Sequence, residues 1–148
     1  GFFSFLNTLK RTVLVYGSNV ERAEGNLIFK KNSEEEFLKD LASCRYVVCG
    51  AGHTLISEAL YYGKPLVVFP IRNAFEQFLN AHYVVKCGYG LANDAQKPKL
   101  DQASEFESRL EDFTSHIARA GFCGNEDIFA WLRRYFETKK LPAFSDPS

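Results

Sequence analysis

The chain has 148 residues, of which 46% are hydrophobic and 15% aromatic. This length and composition suit one globular domain with a buried core, and they exclude a disordered chain. Lys and Arg together number 18, as do Asp and Glu, so the formal net charge is zero. A neutral chain has no overall field that recruits nucleic acid or an anionic membrane, and we expect no nucleic-acid partner.

The cysteines and the first residues indicate where the protein works. Cys44, Cys49, Cys87 and Cys123 form no CxxC pair and have no metal-ligand spacing, which is typical of a reduced, cytoplasmic protein without a metal site. The opening GFFSFL is too short to span a bilayer and lacks the features of a signal peptide. Because the chain contains no Met, we expect a fragment of a larger protein or a processed product.

Apolar runs and breakers predict alternating helices and strands. In chain order they are a helix over 2–10, strands over 13–16 and 27–29, a helix from Ser33 through Ala42, a strand over 46–49, a helix over 54–62, a strand over 66–69, a helix over 74–86, a short strand in YGLAN, and helices over 102–120 and 126–138. Strands separated by helices imply parallel pairing. The expected fold class is α/β with a doubly wound parallel sheet, in a domain over 1–140 followed by a tail over 141–148.

The helix boundaries in this pattern have local signals. Ser33 followed by Glu36 is a capping-box pattern at a helix start. Gly63 and Gly88 follow two predicted helices and act as stop signals. These signals set the limits of the helices that flank the central strands.

The stretch VVCGAGHTLISEALYYGKPLVVFP, residues 47–70, is a strand, helix, strand unit with small and polar residues at its first turn. Open α/β sheets bind ligands beyond the carboxyl ends of their strands. A helix that starts near His53 or Thr54 directs unpaired N–H groups and a partial positive charge into this turn, which favours a phosphate. Gly50 and Gly52 allow another group to approach the backbone closely.

Acidic and amide side chains follow at two nearby helix starts. Glu58 lies four residues after Thr54 and shares its helix face, where a carboxylate suits the two hydroxyls of a ribose. Glu76 and Gln77 lie near the first turn of the next helix and suit further hydroxyl groups. A phosphate at the helix start with a ribose beside Glu58 is therefore the expected arrangement.

Each of these residues also has a purely structural interpretation. Glycines at a strand-to-helix turn often serve the turn alone. Glu58 would then complement the helix dipole, and His53 would cap the helix. Glu76 and Gln77 would form a solvated first turn.

Short motifs occur in a fixed order between residues 50 and 90. The run GAGHTLISEALYYGKPLVVFPIRNAFEQFLNAHYVVKCGYG contains GHT, SEA, GKP, VVFP, EQ and NA. As a set they resemble the C-terminal, nucleotide-sugar-binding half of GT-B fold glycosyltransferases, and the chain is most similar to family 28 and its uncharacterised prokaryotic relatives. The upstream run GNLIFKKNSEEEFLKDLASCRYVV is also similar, so the resemblance covers residues 12 to 92.

The resemblance implies a donor site. The amides of Gly52 to Thr54 would cradle the diphosphate of a nucleotide sugar, with a UDP-sugar as the expected donor substrate, and Glu58 would hold the ribose hydroxyls. Many members of the wider superfamily have a phosphate-contacting His at the position of Gly50. Here the backbone amides or His53 must supply that charge.

The resemblance also implies the remaining contacts and the reaction. Glu76 and Gln77 would contact the transferred sugar, and the loop at Lys31 and Asn32 would lie near the base. The reaction is inverting transfer of a hexose from the nucleoside diphosphate to an acceptor hydroxyl. Helix-terminus amides would stabilise the leaving diphosphate, with no cofactor and no divalent metal required.

Two parts of the family pattern are absent before Phe2. One is the first strand with its glycine-rich loop, which doubly wound sheets place between the strands of Val15 and Val47. The other is the acceptor-binding half with the catalytic base, so the catalytic residues stay unknown and we expect this chain alone to be inactive. Exposed sheet edges at the gap favour a dimer of the fragment.

The expected partners follow from the missing half. They are a nucleotide sugar and either an N-terminal acceptor domain or a separate acceptor subunit, and peripheral membrane association through that half stays open. Two alternatives to a transferase also stay open. One is a nucleotide-sugar hydrolase or epimerase of the same fold, and the other is a non-catalytic donor-binding subunit.

Overall fold

The fold is given by a computed structural model, which describes residues 1–122 and 125–138. The elements in chain order are α1 (Phe2–Leu6), β1 (Val13–Val15), β2 (Arg22–Glu24), β3 (Leu27–Phe29), α2 (Glu34–Ser43), β4 (Val47–Gly50), α3 (His53–Tyr61), β5 (Leu66–Phe69), α4 (Phe75–Lys86), β6 (Gly90–Ala92), α5 (Gln102–Ser108), α6 (Leu110–Ala120) and α7 (Asn125–Thr138). Cys123, the predicted domain end at 140 and the tail over 141–148 lie outside the described residues. Within the described part of the chain, none of the helices has the length and apolar character needed to cross a membrane.

The strands form two three-stranded sheets, with the orders β1-β3-β2 and β4-β5-β6. Both pairs in the second sheet are parallel, with Val47 opposite Leu66 and Leu66 opposite Gly90. In the first sheet β1 is parallel to β3. The predicted α/β class and the parallel strand, helix, strand unit over 47–70 are therefore confirmed.

Strand β2 was not predicted, and it makes the first sheet mixed because it pairs antiparallel with β3. All three of its side chains are exposed, so it lacks the apolar alternation that predicts a strand. Gly25 and Asn26 connect it to β3 as a two-residue hairpin loop, with Gly25 at φ +59°. The Arg22 guanidinium lies 4.3 Å from the centre of the Phe29 ring and adds a cation–π contact to this hairpin.

The single helix predicted over 102–120 is wrong, because the chain breaks it into α5 and α6 at Arg109. The Arg109 N–H donates to the carbonyl of Phe106, three residues earlier, at 3.1 Å. Arg109 itself adopts φ −108° and ψ 9°, outside the helical region. On the two sides of this break the rings of Phe106 and Phe113 stack with centres 5.4 Å apart.

Two apolar cores lie on opposite faces of the sheets. The α1–α5 core consists of Phe5, Leu6, Leu9, Leu27, Phe29, Val67, Phe69, Leu91, Ala103, Phe106, Leu110 and Phe113. The α3–α4 core consists of Leu41, Cys49, Ala51, Ile56, Ala59, Leu60, Leu66, Val68, Ala81, Val84 and Ile117. Strand β5 contributes to both cores because successive side chains of a strand point to opposite faces. Helices therefore cover both faces, as a doubly wound fold requires.

The sheet is interrupted between β1 and β4. Each of these strands is the edge of its own sheet, and no strand in the described residues joins them. Arg11 precedes β1 and Tyr46 precedes β4. Arg11 Nε and Tyr46 Oη both donate to Glu107 Oε1, at 2.9 and 3.0 Å, and this shared partner connects the amino ends of the two strands. The interruption lies where the missing first strand was predicted, and dimerisation at these edges stays a prediction.

Gly90 provides a test of the β5–β6 register. A Cβ atom at Gly90 would lie 1.8 Å from the carbonyl oxygen of Leu66. Because the clashing oxygen belongs to the backbone of a paired strand and cannot move aside, Gly90→Ala should lower the free energy of unfolding by about 3 kcal/mol or more. At Gly52 a Cβ meets nothing within 4 Å and φ is −70°. The control Gly52→Ala should therefore cost no more than about 1 kcal/mol. Urea melts give both values, and a Gly90→Ala variant as stable as the wild type would contradict this register.

Candidate functional site

The carboxyl ends of β4, β5 and β6 lie at one edge of the second sheet, because the three strands are parallel. Gly50 ends β4 and is exposed, and only Ala51 and Gly52 separate it from the start of α3 at His53. This is the edge at which doubly wound sheets bind their ligands. The predicted phosphate loop over 50–54 therefore opens where expected.

The start of α3 has no side-chain cap. Gly52 is the N-cap residue, with φ −70° and ψ 139°, and it supplies only a carbonyl, which accepts from Ile56 N–H at 3.3 Å. The first amides of a helix have no partner within it. Those of His53 and Thr54 make no hydrogen bond in the described residues, and a Cβ atom at Gly52 would meet nothing within 4 Å. His53 does not cap the helix, since its Nδ1 lies 3.4 Å from Ser57 Oγ instead.

Glu58 lies on α3 one helical turn beyond Thr54 and is half-buried. Within residues 1–122 and 125–138, its carboxylate has no hydrogen-bond or ion-pair partner. Its carboxylate oxygens are not among the buried side-chain atoms that lack a partner in the described residues, so they are open to water or to a ligand. Its position close to the uncapped amides fits a group that hydrogen-bonds a ligand.

Two side chains of α4 order the loops at this edge. Asn80 Nδ2 donates to the Ala51 carbonyl at 3.0 Å, which ties α4 to the β4–α3 loop. Gln77 Oε1 accepts from Ile71 N–H at 3.0 Å, which orders the β5–α4 loop. Glu76 is exposed in the first turn of α4. Of these three α4 residues Asn80 alone bonds the loop over 50–54 in the described chain, whereas Gln77 bonds the β5–α4 loop and Glu76 has no hydrogen bond to either.

Asn32 lies on a different part of the carboxyl edge, beyond β3 in the first sheet. Its Oδ1 accepts from Gly17 N–H at 3.3 Å, so it joins the loops that follow β3 and β1. Lys31 forms an exposed ion pair with Glu21 at 3.3 Å. No hydrogen bond or ion pair of the described chain links Asn32 to the loop over 50–54. The structure therefore does not bring Asn32 into contact with the other predicted residues.

A cluster of Tyr16, Lys30 and Asp40 also lies at this edge, and no sequence motif predicts it. Tyr16 follows β1, Lys30 follows β3, and both donate to Asp40 Oδ2 on α2, Lys30 at 2.6 Å. Burial raises the pKa of Asp40, but the hydrogen bonds from Lys30 and Tyr16 outweigh burial and lower it. The cluster fastens α2 to the ends of two strands. Its one sequence signal is that Tyr16 and Lys30 directly follow apolar strands.

Two open concavities of the described chain lie away from the predicted donor residues. The first, of about 380 Å³, is lined by Phe3, Asn7, Arg22, Glu24, Gly25, Leu27 and Phe29. The second, of about 420 Å³, is lined by Arg45, Leu110, Glu111, Thr114 and Ser115. No three His, Cys, Asp or Glu side chains of the described residues could hold a metal ion together. Neither concavity includes a residue of the loop over 50–54.

Comparison with known proteins identifies the class of fold and the family. The model of the family described as glycosyl transferase family 1 matches residues 2–111, and the chain belongs to this family. The solved structure of the spinosyn forosaminyltransferase SpnP is similar, with a TM-score of 0.67 and 20% identity over 90% of this chain and 37% of that one. The glycotransferase of kitacinnamycin is similar as well, with a TM-score of 0.62 and 21% identity over 85% of this chain and 34% of that one. No curated protein sequence matches significantly.

The family match and the two similar structures confirm the predicted resemblance to a GT-B glycosyltransferase domain. The matching model is that of family 1, whereas the sequence motifs are most similar to family 28. At 20 and 21% identity the two solved structures show the shared fold alone. The chain spans only about a third of their length, at 37 and 34%.

Replacement of Asp40 should show how much its cluster stabilises the fold. At neutral pH, Asp40→Asn should lower the free energy of unfolding by about 1 to 2 kcal/mol, because Lys30 and Tyr16 lose a charged acceptor. The folded pKa of Asp40 lies below its ordinary value of 3.8. The stabilisation by ionised Asp40 is therefore complete at pH values above the pKa of Asp40 in the unfolded chain. It disappears as the pH falls through the pKa of Asp40 in the folded protein.

The measurement is a set of urea melts of both proteins between pH 7 and pH 3. The difference in stability should shrink below about pH 4. Asp101→Asn is the control, since Asp101 is exposed at a helix start and makes no side-chain cap bond. A difference between wild type and Asp40→Asn that stays constant down to pH 3 would show that the charge of Asp40 is not involved.

Proposed function

We propose that this chain is the donor-binding domain of a glycosyltransferase, and that it holds a UDP-sugar at the loop over 50–54. The observation that carries the proposal is the uncapped start of α3 next to the half-buried, unpartnered Glu58. Membership of the family supports a glycosyltransferase, and the position of the loop at the carboxyl edge supports a nucleotide there.

The diphosphate binds at the start of α3 in this proposal. The amides of His53 and Thr54 donate to its oxygens, and the positive end of the helix dipole stabilises its charge. No side chain competes for these amides, because Gly52 provides no cap. No atom lies within 4 Å of the position that a Cβ atom would take at Gly52, so a phosphate can approach the backbone closely.

Glu58 accepts hydrogen bonds from the two ribose hydroxyls. A carboxylate has two acceptor oxygens and no donor, which matches a pair of vicinal hydroxyl donors. Because Glu58 lies one turn after Thr54, its carboxylate meets the ribose and not the diphosphate. This arrangement avoids repulsion between the carboxylate and the diphosphate, which are both negatively charged. Asn32 and Lys31 then lie on the side of the base, at the end of the first sheet.

The transferred sugar lies toward the start of α4, where Glu76 and Gln77 meet its hydroxyls. An acceptor hydroxyl attacks the anomeric carbon from the face opposite the diphosphate, the bond to the diphosphate breaks, and the configuration inverts. The α3 amides stabilise the negative charge that develops on the leaving diphosphate. In this proposal the acceptor site and the base that takes the proton belong to an acceptor half, and this chain alone is inactive.

Glu58→Gln separates the proposed role from a structural one. The variant loses one charged acceptor and turns an amide donor toward a hydroxyl, so UDP affinity should fall about ten- to a hundredfold. Stability should change by less than about 1 kcal/mol. Calorimetric titration of the full protein with UDP and with 2′,3′-dideoxy-UDP, together with urea melts, measures both effects.

Glu111→Gln is a matched control, since Glu111 is an exposed carboxylate in the first turn of α6. It should alter stability slightly and leave UDP affinity unchanged. If Glu58→Gln binds UDP as the wild type does and still discriminates against the dideoxy analogue, Glu58 does not hold the ribose.

A further inference from the structure

Arg72 projects from an ordered turn at the carboxyl edge. Ala74 N–H donates to the Ile71 carbonyl at 3.3 Å, and Asn73 has φ +65°, which together define a β-turn with a left-handed third residue. Gln77 Oε1 holds Ile71 N–H at 3.0 Å at the start of this turn. The backbone that carries Arg72 is therefore anchored on both sides.

Strand register places Arg72 beside the proposed phosphate loop. Gly50 pairs with Phe69, so Gly52 and Arg72 lie two and three residues beyond two neighbouring strand ends. Asp94 lies two residues beyond the end of β6, on the other side of Arg72. The three loops are thus neighbours at one edge, with Arg72 on the middle one.

In this structure Arg72 Nη2 lies 3.5 Å from Asp94 Oδ2. The other carboxylate oxygen, Oδ1, accepts the backbone N–H groups of Gln96 and Lys97, at 2.7 and 3.1 Å. These backbone bonds are the main reason why the pKa of Asp94 is lowered. The negative charge of Asp94 is therefore stabilised without Arg72.

The ion pair between Arg72 and Asp94 is easily broken. The two side chains are 58% and 48% exposed, and 3.5 Å is at the long end of a hydrogen bond. Exposed pairs of this kind contribute little to stability. The guanidinium can therefore leave Asp94 for a more strongly charged anion.

We propose that Arg72 exchanges Asp94 for the diphosphate of the donor. This inference rests on the proposed function, because it adds a side-chain cation to the donor site at the start of α3. Gly50 supplies no such cation, and Arg72 carries a guanidinium that is charged at every physiological pH. A guanidinium offers parallel N–H donors that suit two phosphate oxygens, and the diphosphate carries more charge than one carboxylate.

The test compares UDP and uridine binding by calorimetry in the full protein. Arg72→Gln should weaken UDP binding about ten- to a hundredfold and leave uridine binding unchanged, since uridine has no phosphate. Arg72→Lys should lose less, because it keeps the charge but not the planar fork. Asp94→Asn should tighten UDP binding up to about fivefold, because the competing charge is gone while Oδ1 still accepts the two backbone bonds.

Arg109→Gln is the matched control. Arg109 forms a similarly exposed ion pair, with Glu105 at 3.3 Å, but it lies between α5 and α6. It should bind UDP as the wild type does. Equal UDP affinity in Arg72→Gln and wild type would overturn the inference while the donor site stands, and weaker UDP binding in Asp94→Asn would overturn the exchange. A wild-type protein that binds no nucleoside diphosphate would overturn the proposed function itself.

Discussion

The burial of β5 is the constraint on which the rest of the structure depends. All four of its side chains are buried, with Val67 and Phe69 in the α1–α5 core and Leu66 and Val68 in the α3–α4 core. Since β4 and β6 pair with it in parallel, their connections must cross the faces of the sheet as helices. The loops that follow β4, β5 and β6 then fall at one edge, and this places the candidate site.

At that edge, the polar groups divide into those that fix loops and those left for a ligand. Asn80 and the Oε1 atom of Gln77 have backbone partners in the β4–α3 and β5–α4 loops, so they order the site, and the Nε2 atom of Gln77 is left for the sugar. Glu58 and the first amides of α3 have no protein partner of this kind in the described residues, and Arg72 has only a long, exposed one. Polar groups without a protein partner next to ordered loops are available to hydrogen-bond a ligand. In our proposal the nucleotide sugar supplies those partners.

Local signals predicted the part of the fold that positions the site. The apolar run over 66–69 and the stop at Gly63, where φ is +70°, specify the unit over 47–70. Strand β2 has no apolar alternation, although the Gly25–Asn26 pair is a hairpin signal that could have located it. The Asp40 cluster and the Arg72–Asp94 pair depend on contacts between different elements, which periodicity does not encode. The break at Arg109 has no glycine or proline to signal it. A strand end or a helix start has a local signal in the sequence, whereas side-chain contacts between neighbouring loops have none.

The central claim is that the start of α3 binds the donor diphosphate, and amide chemical shifts in the ¹⁵N-labelled full protein test it most directly. On titration with a UDP-sugar, the account predicts that the largest shifts occur at Gly52, His53 and Thr54, with smaller ones near Glu58 and Arg72. Shifts that cluster instead around the concavity between α1 and the hairpin, at Asn7 and Gly25, would contradict it.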